Sequence, residues 1–215
     1  MKKETKLIAI SSVILLLVFA MAALFYKNKQ SGEQAQKVQE NSQALVRPHN
    51  ITQGPDNAKV TIVEFLDPEC EACRAMHPIV HKLLKEYPND LRLVVRYMPF
   101  HSNSIYAAHI LEIAREQGKF WEALDVMFEK QPSWGSHHAP KPELLKDYMK
   151  TLGVNLADLD NEMKKSAILK RIDLDKTDGM ALGVQYTPSF FVNGKMTSDI
   201  GYDALKAAIE AALKN

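Results

Sequence analysis

Apolar and polar positions divide the chain into stretches with different periods. From Leu7 to Tyr26 every position is apolar except Ser11 and Ser12. About 20 such residues make a helix that spans a bilayer. Lys2, Lys3 and Lys6 precede the run, and Lys27 and Lys29 come after it. The larger basic flank, with the free amine, leaves residues 1–6 as a cytoplasmic N-terminus and exports the C-terminal side of the run. A signal peptide, with Ala20-Met21-Ala22 as a small-residue cleavage site, is the competing reading. Continuation of the run through Leu24-Phe25-Tyr26 favours a transmembrane signal anchor at 7–26. Both readings put the rest of the chain outside the cytoplasm. Residues 27–50 are rich in Gln, Asn, Ser and Lys, with a weak helical stripe at Ala35, Val38, Ser42 and Leu45. A solvated polar linker is expected there.

The period changes in residues 51–215. Val60 to Leu66 is apolar and β-branched and predicts a strand, stopped by Asp67-Pro68. Met76, Ile79, Val80, Leu83, Leu84 and Tyr87 fall on one face of a helix. Leu91 to Met98 predicts a second strand. Both strands are apolar throughout, as parallel strands covered on two faces are. Residues 104–182 have helical periodicity, with stripes at Phe120, Leu124, Met127 and Phe128, then Leu144, Leu145, Tyr148 and Leu152 behind Pro142. Ile168, Leu169 and Ile172 begin a further helix, which Gly183 ends. Ser189 to Val192, Asn193-Gly194 and Lys195 to Ser198 read as a hairpin with a type I′ turn. Tyr202, Leu205, Ile209 and Leu213 line a last helix. The order β-α-β, helices, β-β-α predicts an α/β chain: a thioredoxin-like fold with a helical insertion at about 102–182, preceded by an N-terminal transmembrane helix.

Composition narrows the function classes. At 46% hydrophobic and 25% charged, the chain is neither disordered nor collagen-like. Its net charge of +1 gives no basic field for nucleic acid. Residues 1–47 hold seven basic and three acidic side chains; residues 48–215 hold 20 and 23, so the exported part is mildly acidic. The two cysteines, Cys70 and Cys73, stand three positions apart, which excludes a disulfide scaffold and points to chemistry.

A Cys-x-x-Cys pair between a strand and an amphipathic helix suits reversible disulfide exchange. One helical turn brings the Cα atoms to about 5–6 Å, a separation a disulfide can close. The helix N-terminus favours the Cys70 thiolate, making it the nucleophile, and Cys73 would resolve the mixed disulfide. Glu64, six residues before Cys70 in an apolar strand, is a candidate buried proton relay. A rival reading is a copper or zinc module built from Cys70, Cys73, His77 and His81. Pro78 between the histidines and the missing finger spacing count against it. A partly exposed helix face accounts for His77 and His81, and a loop for His137 and His138. No metal ligand or cofactor is otherwise assigned.

These segments resemble the DsbA-like thiol–disulfide oxidoreductases of bacteria over roughly residues 55–213. The resemblance is carried by Val60-Thr61-Ile62-Val63-Glu64-Phe65 before Cys70-x-x-Cys73, by Pro78, and by Val95-Arg96-Tyr97-Met98-Pro99-Phe100 with Ala107-Ala108. Gln117-Gly118-Lys119-Phe120-Trp121, Met127-Phe128 and Gln131 are similar too. The most specific segment runs from Gly183 to Gly194 through Thr187-Pro188-Ser189. The resemblance implies a cis Thr187-Pro188 bond facing the cysteines, as a substrate-binding loop. It further implies an enzyme exchanging disulfides with exported cysteine-containing proteins, most simply an oxidase, with a reductase or isomerase as the alternative. A membrane redox partner, DsbB-like or supplying reductant, would turn it over from a single-pass position in the cytoplasmic membrane, with the catalytic domain on the periplasmic side. One departure concerns the residues between the cysteines, where the family often has Pro and then His. Glu71 and Ala72 stand here, with Asp67 and Glu69 nearby. Their carboxylates are expected to oppose the Cys70 thiolate and Arg74 to offset them, so Glu71, Ala72 and Arg74 are expected to tune the redox poise.

Overall fold

A computed structural model describes residues 3–136, 138–157, 159–163 and 166–214; Lys2 and His137, named above, lie outside them. The element order is α1 (Lys3–Glu40), a 3₁₀ turn (Ser42–Ala44), β1 (Ile51–Gln53), β2 (Val60–Leu66), α2 (Glu71–Glu86) and β3 (Leu91–Tyr97). Then come α3 (Ser104–Glu116), α4 (Phe120–Glu129), α5 (Gln131–Trp134), α6 (Leu144–Thr151), α7 (Leu159–Glu162) and α8 (Ser166–Ala181). The chain closes with β4 (Ser189–Val192), β5 (Lys195–Met196) and α9 (Tyr202–Leu213).

The sheet order is β1-β3-β2-β4-β5, with β2 and β3 parallel and the other pairs antiparallel. Alternation along each strand separates two cores. Ile62 and Leu66 join Leu93, Val95, Phe190 and the buried face of α2 in the larger one. Val63, Phe65, Val94, Met98 and Phe191 form the smaller one on the opposite face. The β4–β5 turn has Asn193 at φ 43° and Gly194 at φ 81°, the positive pair a type I′ turn requires. Gly183, at φ 81°, ends α8: its N–H meets the Met180 carbonyl, and the Val184 N–H meets that of Gly179, a Schellman closure.

Residues 27–50 correct the expected polar linker. The apolar helix does not stop at Tyr26 but runs to Glu40, and Val38, Ala44 and Leu45 are buried in the smaller core. Extending an existing helix adds one hydrogen bond per residue without a new nucleus, so polar sequence continues it readily. The weak stripe at Val38 and Leu45 is the docking face, and the Gln34 amide donates to the Leu182 carbonyl. The helix is long and apolar enough to cross a membrane. Strand β1 has no signal in the sequence, because three residues carry no readable alternation. It is an edge strand on Leu93–Val95.

Arg96 points from β3 into the smaller core and is fully buried. Its Nε donates to Asp175 at 2.7 Å and its Nη2 to Asp178 at 2.6 Å, both on α8. Its Nη1 donates to the carbonyls of Ala44 and Leu45. Arg47 adds a two-pronged bond to Asp178 at 2.9 and 2.7 Å. Burial by itself would raise Asp178, but the bonds from Arg47 and Arg96 hold it below its ordinary range. Removing one partner of such a buried network leaves uncompensated charge. Arg96→Met is therefore expected to destabilise the fold by about 3–5 kcal/mol in urea denaturation. A loss under about 1 kcal/mol would show that the network does not hold α8 in place.

Candidate active site

The site lies where β2 ends and α2 begins. Cys70 is the N-cap of α2, with φ −77° and ψ 123°. The turn before it is fastened by polar groups. The Asp67 carboxylate is buried and accepts from the N–H groups of Glu69, Phe100 and His101 at 2.9, 2.7 and 3.1 Å. It also accepts from the His101 ring at 2.8 Å and the Ser104 hydroxyl. Glu69 accepts from the backbone and side chain of Asn103 at 2.6 and 2.7 Å. Gln131 donates to the carbonyls of Pro68 and Cys70 at 2.9 and 3.0 Å. The strand–helix turn is thereby tied to the β3–α3 connection and to α5.

The two thiols differ in depth. Cys70 retains 7% of its surface and Cys73 none. The Cys70 thiol donates to the Thr187 carbonyl at 3.3 Å, across 117 residues of chain. The Thr187-Pro188 bond is cis, as the resemblance implies. The Asp67 N–H points at the Cys73 sulfur at 3.4 Å.

Cys70 is pulled down from a thiol's ordinary 9.0 to about 6. The Cys73 thiol is the largest cause, burial opposes it, and the Thr187 side chain and the N–H groups of Cys73 and Ala72 lower it further. Those N–H groups occupy the second and third positions of α2, where an N-cap acceptor is bound. The thiolate thus acts as the helix's own cap. Cys73 moves the other way: burial pushes it well above 9.0, and the neighbouring Cys70 and Glu64 add to the rise. Glu64 is buried on the α2 face of β2, and desolvation raises it to about 8.

The expected tuning residues are placed differently from their sequence reading. Ala72 acts through its backbone N–H. Arg74 turns to Gln131, donating from Nε at 3.0 Å, rather than to Cys70. Glu71 is exposed, and the carboxylates of Asp67 and Glu69 are occupied by the turn. The net shift of Cys70 is downward, with the Cys73 thiol as its largest cause and the N–H groups of Cys73 and Ala72 contributing.

His101 belongs to the site without standing in any motif of the sequence. Burial weighs against its charged form, but the Asp67 hydrogen bond and the charges of Asp67, Cys70 and Glu69 raise it above the ordinary imidazole range. Its protonated form is the one that Asp67, Glu69 and the Cys70 charge favour. Its only sequence signal is its position after Pro99-Phe100, in a segment joined to β2 by the parallel pairing. The copper or zinc set of Cys70, Cys73, His77 and His81 is not assembled. Among the described residues His77 and His81 gather with Asp125 instead, without either cysteine.

A thioredoxin family model matches residues 46–211. The Na⁺/H⁺ antiporter NhaA of Herminiimonas arsenicoxydans is 34% identical over 161 residues, covering 74% of this chain and 25% of the antiporter. The chain thus spans about a quarter of the length of the antiporters it matches. Disulfide bond formation protein D of Bacillus subtilis is 29% identical over 169 residues, covering 75% of this chain and 76% of that protein. The crystal structure of oxidised BdbD from Bacillus subtilis superposes with a TM-score of 0.69 at 28% identity, covering 77% of this chain and 94% of that one.

The opposite shifts of Glu64 and Cys70 give opposite pH dependences. Between its unfolded value of 4.5 and its folded value of about 8, Glu64 holds a proton only in the folded state. Stability therefore falls as pH rises through that window, by about 1.4 kcal/mol per unit. Between about 6 and 9.0, Cys70 has lost its proton only in the folded state, so the reduced protein gains stability as pH rises. Of these two effects, only that of Glu64 remains in the oxidised protein. Urea denaturation of the oxidised protein should show stability falling from about pH 5 to 8, and Glu64→Gln should remove most of the fall, leaving the smaller part that the raised His101 contributes. An equal fall in the variant would assign the proton to another group.

Proposed function

Because the chain belongs to the thioredoxin family, among its DsbA-like thiol–disulfide oxidoreductases, we propose that it forms disulfides in exported proteins through Cys70 and Cys73. The observation that supports this is the contrast between the two sulfurs: Cys70 at the helix mouth, lowered to about 6, and Cys73 sealed beneath it, raised.

In the forward direction a client thiolate attacks the Cys70 sulfur of the Cys70–Cys73 disulfide. A client–Cys70 bond forms, the Cys70–Cys73 bond breaks, and Cys73 leaves with the electron pair. Buried Cys73 then needs a proton, and Glu64, which keeps its own proton up to about pH 8, is the group below able to supply it. A second client thiolate attacks the client sulfur of the mixed disulfide, and Cys70 leaves as thiolate. Two electrons have passed from client to enzyme. A low leaving-group pKa speeds that last step. His101 and the N–H groups of Ala72 and Cys73 stabilise the departing charge. Phe100 and Tyr186, next to His101 and Thr187 in the chain, are half-exposed aromatic side chains suited to hold an unfolded client.

At pH 7 a Cys70 near 6 ionises the reduced couple about tenfold more than an unperturbed thiol would, about 30 mV toward oxidation. Oxidase service with re-oxidation by a membrane partner agrees with that sign. Equilibration with glutathione should give a reduction potential between about −200 and −120 mV. A value below about −230 mV would assign the protein to reduction instead. Cys73→Ser should accumulate mixed disulfides with exported proteins, and Cys70→Ser should abolish exchange; trapping by Cys70→Ser rather than Cys73→Ser would reverse the two roles.

The α1 helix is proposed to hold this chemistry at the cytoplasmic membrane as a single-pass anchor, with the domain on the outer side. A phosphatase active only after export, fused after residue 50, should be active and sediment with membranes. Activity in the soluble extracytoplasmic fraction would mean that the apolar segment is removed.

A further inference from the structure

His77 and His81 lie one turn apart on α2 and face Asp125 of α4. The His77 Nε2 sits 2.6 Å from the Asp125 Oδ1, and the His81 Nε2 sits 3.8 Å from the same oxygen. The three ligand atoms all lie within 4.8 Å of one another. The His77 and His81 rings have centroids 4.4 Å apart. An ion pair between His77 and Asp125 accounts for the first distance, and His81 lies near the outer limit of such a pair with the same oxygen. The His81 Nε2 is sealed from solvent and has no hydrogen-bond partner. Folded proteins seldom leave a buried ring nitrogen unmet.

We propose that His77, His81 and Asp125 form a binding site for a divalent transition metal of the zinc class, separate from the dithiol. Zinc bonds of about 2.0–2.2 Å in tetrahedral array put ligand atoms about 3.3–3.5 Å apart. The separations of 2.6 and 3.8 Å to the Asp125 oxygen lie on either side of that value. Two imidazoles and one carboxylate select zinc, copper(II) or nickel over calcium and magnesium, which prefer oxygen, and over copper(I), which prefers sulfur. Three protein ligands leave a fourth position for water, and the exposed Asp125 carboxylate gives the ion an entry path. Phe128, 5.0 Å from the His77 ring, and Trp121, 6.4 Å from the His81 ring, wall the inner side. The bound ion would join α2, which carries the cysteines, to α4 of the helical insertion.

The test uses the full chain in detergent, with Cys70 and Cys73 both replaced by Ser so that thiolates cannot bind metal. Co²⁺ is titrated, visible d–d absorption and tryptophan fluorescence are followed, and Zn²⁺ is added in competition. The expected result is one equivalent of Co²⁺ bound through nitrogen and oxygen, quenching of Trp121 and full displacement by Zn²⁺. Loss of an outer partner of a metal site costs about 10–100-fold in affinity. Loss of a ligand, in His81→Gln or Asp125→Asn, should cost at least that. Circular dichroism checks the fold; if His81→Gln fails to fold, the exposed Asp125→Asn decides alone. Binding that survives Asp125→Asn unchanged, no binding at millimolar Co²⁺, or binding found only when the cysteines are present would each overturn the proposal.

Discussion

A guanidinium cut off from water must be met by anions and carbonyls, and in this chain the burial of Arg96 on β3 ties two other segments to the sheet. Its bonds to Asp175 and Asp178 fix α8 against the sheet, and its bonds to Ala44 and Leu45 bring the 3₁₀ turn that follows the N-terminal helix to the same place. The consequence reaches the sulfur chemistry. Once α8 is fixed, its closure at Gly183 sets the start of the segment leading to Thr187-Pro188, and β4 then pairs beside β2. Thr187 arrives at hydrogen-bond distance from a cysteine 117 residues earlier in the chain. A charge on one face of the sheet thus positions the loop that meets the thiol at its edge.

At the site itself, depth separates two groups of the same chemical kind. The Cys70 sulfur has the helix N-terminus, the Cys73 thiol and the raised imidazole of His101 to hold a negative charge. Cys73 and Glu64, one turn deeper, have desolvation against their charges and keep their protons. Negative charge therefore collects at the mouth, and exchangeable protons collect beneath it. A disulfide whose two sulfurs leave in successive displacements, one to solvent-side charge and one to a buried proton, needs that division. Asp67 maintains it indirectly, since its hydrogen bonds hold the turn that presents Cys70 while its own N–H meets the Cys73 sulfur.

The N-terminal helix changes how the domain is carried. A flexible spacer would let it sample a wide volume, but the helix is continuous from the apolar run to the residues that dock. From Tyr26 to Val38 the rise is about 18 Å. Gln34 and Val38 then join the face that holds Leu182 and Phe191. The C-terminal part of the helix is docked on the domain through Gln34 and Val38, so the rise from the apolar run to these contacts is set by helix geometry instead of by chain entropy.

Periodicity alone determined the strands around Val60–Leu66 and Leu91–Tyr97, the α2 and α9 faces and the Asn193-Gly194 turn, because each is a local pattern of burial or backbone preference. The Cys-x-x-Cys spacing at the mouth of a helix determined the kind of chemistry, because a disulfide and a helix end both act within one turn. Glu64 could be suspected from a carboxyl in an apolar strand, but its burial needed the sheet to be covered on both sides. What acts across the fold was decided by tertiary structure. Spacing put Asp67, Glu69 and Arg74 near Cys70 as charges, whereas packing gave each another partner. The 27–50 segment was polar enough to read as a spacer, and only the core it docks on made Val38 and Leu45 decisive. Asp125 joins His77 and His81 from a different helix, 44 positions beyond His81. A sequence displays neighbours along the chain, while electrostatic and ligand fields depend on distance in space, and that is the information folding adds.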